Sequence, residues 1–359
     1  MSAWKYKQLM PKLIVYKLNL MDTKRITGLV GSSLFQISFV LQNSPYKPEV
    51  VEVNTKELTS ISLEAALQKN FIKTCENLMT LSPKGIRSLI SGLLLKFEAN
   101  CVKTLLRAKE AKLSVEESMK YVVPVGNLDE LTCRKILENS ENIEDVIDFL
   151  SDFEYGLLLE KEFEVYLKTK LFYVLEVALD RYVYCNLWNQ ARKLWGLDKK
   201  IAKTVIGLEV DALNIKTVFR CKKMGLSHQQ IQQYLVPVSS VLGEKELNEA
   251  ITASGNQSTI ESLIKSAKYA LSRDHQYIFA ELQDLDLTSL TTLETFLDRG
   301  LLETNLRMLK RHTAYFNIGL LLAYLNLKWF EIKNLRSIIR ASEAGILSEK
   351  VKKLLILPR

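Results

Sequence analysis

The amino-acid sequence predicts an all-α fold made of one helical unit copied three times. Three observations carry that expectation. Glycine (14) and proline (7) are scarce in a chain of 359 residues, too few for the tight turns of a sandwich or barrel of short strands. Apolar residues recur at steps of three to four through most of the chain, the period of a helix with one buried stripe. One such pattern returns twice more with its charges in register.

The first copy is placed at 1–125. Its opening, Met1 to Lys24, threads Lys5, Lys7, Lys12 and Lys17 through apolar residues. It lacks the clean apolar core and small-residue cleavage site of a secretion signal. "FQISFVLQNSPYKPEVVEV" (Phe35 to Val53) holds Pro45 and Pro48 and reads as locally irregular. "LEAALQK" follows from Leu63, and "FEANCVKTLLRAKEAKLS" runs from Phe97 to Ser114.

The second copy is placed at 126–238. "NIEDVIDFLSDF" (Asn142 to Phe153) opens on a capping residue and continues at helical spacing. "LEVALDR" starts at Leu175, and "VDALNIKTVFRCKKMGLS" runs from Val210 to Ser227. The third copy is placed at 239–359. "ASGNQSTI" (Ala253 to Ile260) is a loop signal, and "STIESLIKSAKYAL" (Ser258 to Leu271) predicts a helix capped by its serine. "LETFLDR" starts at Leu293. Phe316 to Phe330 is strongly apolar, but it is short and carries Asn317, Asn326 and Lys328. A membrane span needs about 20 mostly apolar residues, so a buried helix is expected. "FEIKNLRSIIRASEAGILS" closes the pattern from Phe330 to Ser348.

The copies align on Arg107, Arg220 and Arg340, which are 113 and 120 residues apart. Nine positions before each stands an acid: Glu98, Asp211, Glu331. Four before it stands a base: Lys103, Lys216, Arg336. A spacing of four puts base and arginine on one flank of the helix. Gly225 and Gly345 suit the left-handed residue that ends many helices, whereas Lys112 holds that place in the first copy. Ser114, Ser227 and Ser348 offer capping oxygens for a short helix that ends before Pro124, Pro237 or Pro358. The "LExxL" elements step by 112 and 118, in phase with the arginines.

The remaining composition excludes more than it selects. A hydrophobic share of 47% with 25% charged residues is that of a folded chain. The net charge of +8 suits nucleic acid, an anionic membrane or an acidic protein. Basic clusters such as Lys199-Lys200 and Arg307 to Arg311 have no aromatic interleaving, so they read as solvated helix faces and no nucleic acid is expected. Five cysteines stand far apart in sequence with no CxxC pair, and read as reduced core thiols. The three histidines, His228, His275 and His312, form no metal-ligating pattern. "GLVGSS" (Gly28 to Ser33) lacks the lysine of a phosphate loop, and no nucleophile elbow exists. Asp180 and Asp298 recur because their helix recurs. No catalytic residue, cofactor, metal or small-molecule substrate is expected.

With the repeat in view, three strings resemble one family. They are Glu331 to Val351 ("EIKNLRSIIRASEAGILSEKV"), Asn214 to Ser227 ("NIKTVFRCKKMGLS") and Leu175 to Tyr184 ("LEVALDRYVY"). They look like the central-stalk connectors of rotary ATPases, a family shared by the archaeal A-type and the vacuolar V-type enzymes. The resemblance covers Leu63 to Pro358 and is weakest before residue 60. Cys101 stands where Asn214 and Asn334 stand, a departure in the first copy. The resemblance implies a pseudo-threefold funnel of helical lobes. It implies a non-catalytic coupling protein that seats the soluble rotor shaft over the membrane proteolipid ring during proton or sodium transport. It would be a peripheral protein on the cytoplasmic face, in contact with the membrane surface.

Arg107, Arg220 and Arg340 then have two readings. In one, each pairs with an acid inside its own lobe. In the other, they line an inner surface and meet the shaft. The rival to the whole resemblance is a stand-alone α-helical repeat scaffold that binds protein or RNA.

Overall fold

Helical periodicity and left-handed stops act here as expected, and so do the capping oxygens of Ser114, Asn142 and Ser227. Among the described residues the chain is helical, apart from turns and one isolated bridge between Val125 and Leu128. The computed structural model describes residues 6–53, 58–238, 241–270, 282, 289–313 and 317–358. His275 lies outside them.

In chain order, the first third carries α1 (Leu9–Leu18), α2 (Thr23–Thr27), α3 (Leu34–Gln42), α4 (Lys47–Val51), α5 (Ser60–Thr80), α6 (Lys84–Glu110) and α7 (Val115–Tyr121). The middle carries α8 (Glu130–Asn139), α9 (Ile143–Phe149), α10 (Gly156–Thr169), α11 (Tyr173–Lys193), α12 (Gly196–Lys223) and α13 (His228–Tyr234). The last carries α14 (Glu244–Thr252), α15 (Asn256–Ala270), α16 (Leu290–His312), α17 (Ile318–Glu343) and α18 (Ser348–Leu354).

Six long helices organise the rest. The "LExxL" elements open α5, α11 and α16, and the aligned arginines end α6, α12 and α17. Each opening helix packs on its successor: α5 on α6, α11 on α12, α16 on α17. Each arginine helix also packs on the next opening helix, α6 on α11, α12 on α16 and α17 back on α5. The six therefore close a cycle. Close approach is needed where α6 meets α11: a Cβ on Gly92 would stand 3.0 Å from a Leu187 methyl. Phe71, Phe97 and Trp329 form one cluster with ring centroids 5.1 to 5.4 Å apart. It joins α5 and α6 to α17. The apolar segment Phe316 to Phe330 falls mainly in α17, where Ile318 and Leu320 to Leu325 are buried.

All three arginine helices stop alike. The N–H of Leu113, Leu226 and Ile346 donates back to the carbonyl of Ala108, Cys221 and Ala341. This bond spans the left-handed residue that ends the helix. Gly225 and Gly345 occupy that place at φ 72° and 63°, and Lys112 occupies it at φ 52°. The first copy makes the same stop without glycine, at a cost of about 1 kcal/mol.

Several expectations need correction. Phe35 to Val53 is not irregular but holds most of α3 and all of α4. The Ser33 hydroxyl and Gln36 side chain cap α3 reciprocally, and Pro48 sits in the first turn of α4, where no N–H is needed. Ser348 does not cap α18. Leu347 holds that place, because the third copy has one extra residue after its glycine. Asn256, not Ser258, begins α15. The cysteines are free, but two of them meet: Cys101 Sγ and Cys133 Sγ stand 3.6 Å apart. That contact, together with burial, pushes the Cys101 thiol up.

Candidate functional site

The sequence leaves open where the aligned charges find partners. In the structure each pairs not with an acid in its own third of the chain, as one reading expected, but with one in the next third, and the last pairs with the first. Arg107 binds Glu176, Arg220 binds Glu294, and Arg340 binds Glu64. These acids are the second residues of the three "LExxL" elements.

The bases four positions earlier follow the same rule. Lys103 Nζ lies 2.5 Å from Asp180, and Lys216 Nζ lies 3.0 Å from Asp298. Arg336 has no aspartate to meet, because Gln68 stands there. Its Nε donates to Glu64 Oε2 at 2.9 Å, on the carboxylate that also accepts from Arg340 Nη2 at 2.7 Å. The geometry follows from helix periodicity. Base and arginine are four apart on one helix, acid and acid four apart on its neighbour. The helices run antiparallel, so the two pairs face each other as rungs.

The acids nine before the arginines reach forward as well. Glu98 accepts from Tyr155 Oη at 3.1 Å. Asp211 accepts from the Val241 N–H at 2.8 Å and the Leu242 N–H at 3.4 Å. Glu331 accepts from the Met21 N–H at 2.6 Å and Tyr46 Oη at 2.7 Å. Burial pushes the Glu331 carboxyl above its ordinary range, although Lys328 and these two donors pull it down. All the repeated polar positions at −9, −4 and 0 thus make contacts from one third of the chain to another. Asn214 and Asn334 do the opposite job. Each makes a pair of bonds to a backbone only twenty-two residues on, at Val236 and Ile356.

A cavity of about 240 Å³ lies where the six long helices converge. Each contributes to its lining: Phe71, Lys96, Tyr184, Glu209, Asp298 and Lys333, in helix order. Its charges are mutually satisfied. Lys96 Nζ lies 2.5 Å from Glu209, which also accepts from Asn326 at 3.0 Å. Lys333 Nζ lies 2.7 Å from Asp298. Burial pushes the Asp298 carboxyl up, but Lys333 and Lys216 outweigh it and hold the group below its usual range. A larger cleft, about 720 Å³, opens beside the junction of the first and last copies. Arg107, Arg336, Arg340 and Glu64 line it, with Phe97 and Trp329 shared with the central cavity.

The aligned residues are all visible in the sequence; their partners Glu64, Glu176, Glu294 and Asp180 are not recognised there as such. The signal is present: two acids at spacing four in "LExxLD", set against two bases at spacing four, with one acid missing in the copy that reads "LEAALQK". Among the described residues no three metal-binding side chains cluster. His228 is exposed, and His312 is buried with Nδ1 at 3.2 Å from Asn317 Nδ2.

Known proteins are similar to this chain along most of its length. The chain is 25% identical over 339 residues to the C subunit of the A-type ATP synthase of Methanocaldococcus jannaschii, covering 94% of this chain and 82% of that one. It is 29% identical over 307 residues to the same protein of Methanothermobacter thermautotrophicus, covering 84% and 76%. With that of Methanosarcina barkeri the identity is 27% over 351 residues, covering 98% and 92%. The model of the ATP synthase (C/AC39) subunit family matches residues 9–354, which takes in every charged rung from Glu64 to Arg340. The chain belongs to the ATP synthase (C/AC39) subunit family.

Proposed function

We propose that this chain is the non-catalytic connector of a rotary ATP synthase or ATPase. It seats the soluble rotor shaft over the membrane proteolipid ring and passes torque between them while protons or sodium ions move. In this reading, units 1–125, 126–238 and 239–359 are three lobes of a funnel about a pseudo-threefold axis. The chain is a peripheral membrane protein on the cytoplasmic face. Among the described residues no helix is long and apolar enough to cross a membrane.

The observation that carries the proposal is the closed cycle of helices with a charged rung at each inter-copy junction. A linear array of lobes yields to twist at its open end. A closed one has no open end, and load on one lobe reaches the other two through packed helices of low compressibility. A shaft that touches several lobes at once is held multivalently, which resists slippage.

Arg107, Arg220 and Arg340 are the residues proposed for the shaft contact. Their side chains remain 58%, 43% and 63% exposed while bound to their glutamates, so one edge of each guanidinium still faces outward. The test compares each arginine with its own acid. Arg220→Ala and Glu294→Gln break the same rung, but only the first removes the outward charge. Capture of purified shaft proteins should fall more for Arg220→Ala. An equal fall would leave the arginines with a structural role alone. Failure of the unaltered chain to capture any shaft or ring protein from solubilised membranes would sink the connector reading.

A further inference from the structure

The end of the cycle away from the arginines carries a second surface. It is formed by the α5–α6 and α11–α12 turns, with the last residues of α16 and the first of α17. These segments touch. A Cβ on Gly85 would lie 3.3 Å from a Leu194 methyl, and Asp198 Oδ1 accepts from the Ile318 N–H at 3.1 Å. Helix α1 joins them, with Lys17 Nζ 3.1 Å from Thr313 Oγ1.

This end is almost free of acid. No acid occurs from Met1 to Met21, from Asn77 to Phe97 or from Thr304 to Phe330. From Arg181 to Leu208 there is one, Asp198, and it is buried and turned inward to Ile318. The exposed charges are cations, among them Lys84, Arg192, Lys193, Lys199, Lys200 and Lys310. In their midst the α11–α12 turn projects Trp195, 81% exposed, and Leu197, 57% exposed. Between them Gly196 takes φ 56°, and a Cβ there would meet nothing within 4 Å. Helix α1 adds Val15 and Leu18, which are also exposed. Exposed aromatic and aliphatic side chains gathered at one end of the cycle are unfavourable in water and mark an interaction site.

We propose that this end docks on an anionic phospholipid surface. Trp195 and Leu197 enter the headgroup layer, and the cations around them meet lipid phosphates. The chemistry favours lipid over a protein partner. Tryptophan ringed by lysine and arginine suits the membrane interface. The inference deepens the membrane contact of the connector reading and rests on it for its biological setting, but the binding itself is measurable on the isolated chain.

The test is flotation of the full-length chain with vesicles of phosphatidylcholine, alone or mixed with phosphatidylglycerol. The chain should float with the mixed vesicles and not with the neutral ones. Lys199→Glu with Lys200→Glu should weaken binding by at least about fivefold for each lysine lost, on the scale of one surface cation near anionic lipid. Trp195→Ala with Leu197→Ser should release the chain, with an unchanged melting temperature because both side chains are exposed. Brominated acyl chains should quench the fluorescence of the unaltered chain more than that of Trp195→Phe. Equal binding to both vesicle types, or binding that neither variant alters, overturns the proposal. So does a result in which the variants lose the detergent-purified proteolipid ring but keep the vesicles, which would assign the face to protein. A chain that captures rotor proteins yet ignores the mixed vesicles defeats the lipid face and leaves the connector standing. One that binds vesicles but captures no other part of the ATPase does the reverse.

Discussion

The contact of α12 with α16 and the contact of α17 with α5 use the same positions with different supplies of acid. At the former, Lys216 and Arg220 meet separate acids, Asp298 and Glu294, although Asp298 also serves Lys333. At the latter, Arg336 and Arg340 share the single carboxylate of Glu64. Gln68 is the cause, and arginine at 336 is the compensation. A lysine there, as in the other copies, would bring a flexible point charge. Arginine brings a rigid fork that can share a carboxylate's two oxygens with a second arginine. The junction short of an acid is also the one beside the 720 Å³ cleft, and Gln68 lines it. Within one chain, then, a repeated contact tolerates losing a partner if its other members change with it.

Four sets of substitutions test this contrast, in descending order of size. Asp298→Asn removes the one acid shared by Lys216 and Lys333 and leaves two half-buried ammonium groups without a counter-charge. It should cost about 3 kcal/mol in urea unfolding. The sign of its pH dependence is fixed. Asp298 is held below its ordinary range, so its contribution is present above the unfolded pKa and lost as pH falls through the folded one. The gap between the unaltered chain and Asp298→Asn should be full at neutral pH and narrow below about pH 4.

Glu64→Gln should cost about 2 kcal/mol, tempered by the exposure of Arg340. Glu176→Gln, which frees only the well-exposed Arg107, should cost less than half of that by the same measurement. Equal costs for the two would mean that sharing one carboxylate confers nothing. Lys112→Gly should raise stability by about 1 kcal/mol by relieving a left-handed lysine, while Gly225→Ala lowers it by a similar amount. Gln68→Asp should restore the missing rung and add about 0.5 kcal/mol, as exposed pairs do. If it adds nothing, Arg336 is fully satisfied by Glu64.

The sequence made much of this legible. Helical spacing identified the long helices, and the triple alignment of Arg107, Arg220 and Arg340 with their bases and acids marked the positions that turned out to be paired. The direction of pairing was not legible. The partners lie 69, 74 and 276 residues away, and helix periodicity says which flank a side chain occupies but not which helix faces it. The misread segment, Phe35 to Val53, shows another limit. Pro45 and Pro48 suggested irregular backbone, but one lies between helices and the other in a first turn, where proline costs nothing. The face around Trp195 was hidden for a third reason. Asp198 would balance its lysines on paper, and only the fold turns it inward.

The return of the last helix to the first has a consequence for synthesis. Glu331 serves Met21 and Tyr46, and Arg340 serves Glu64, across 276 to 310 positions. A nascent chain can complete its first two junctions on the ribosome, but the third waits for the final helices to emerge. Until then Glu64, buried in the finished fold, has no countercharge, and the surface of α5 that receives α17 is bare. A message truncated ahead of α17 would therefore yield a product that chaperones and proteases can tell from one that carries it.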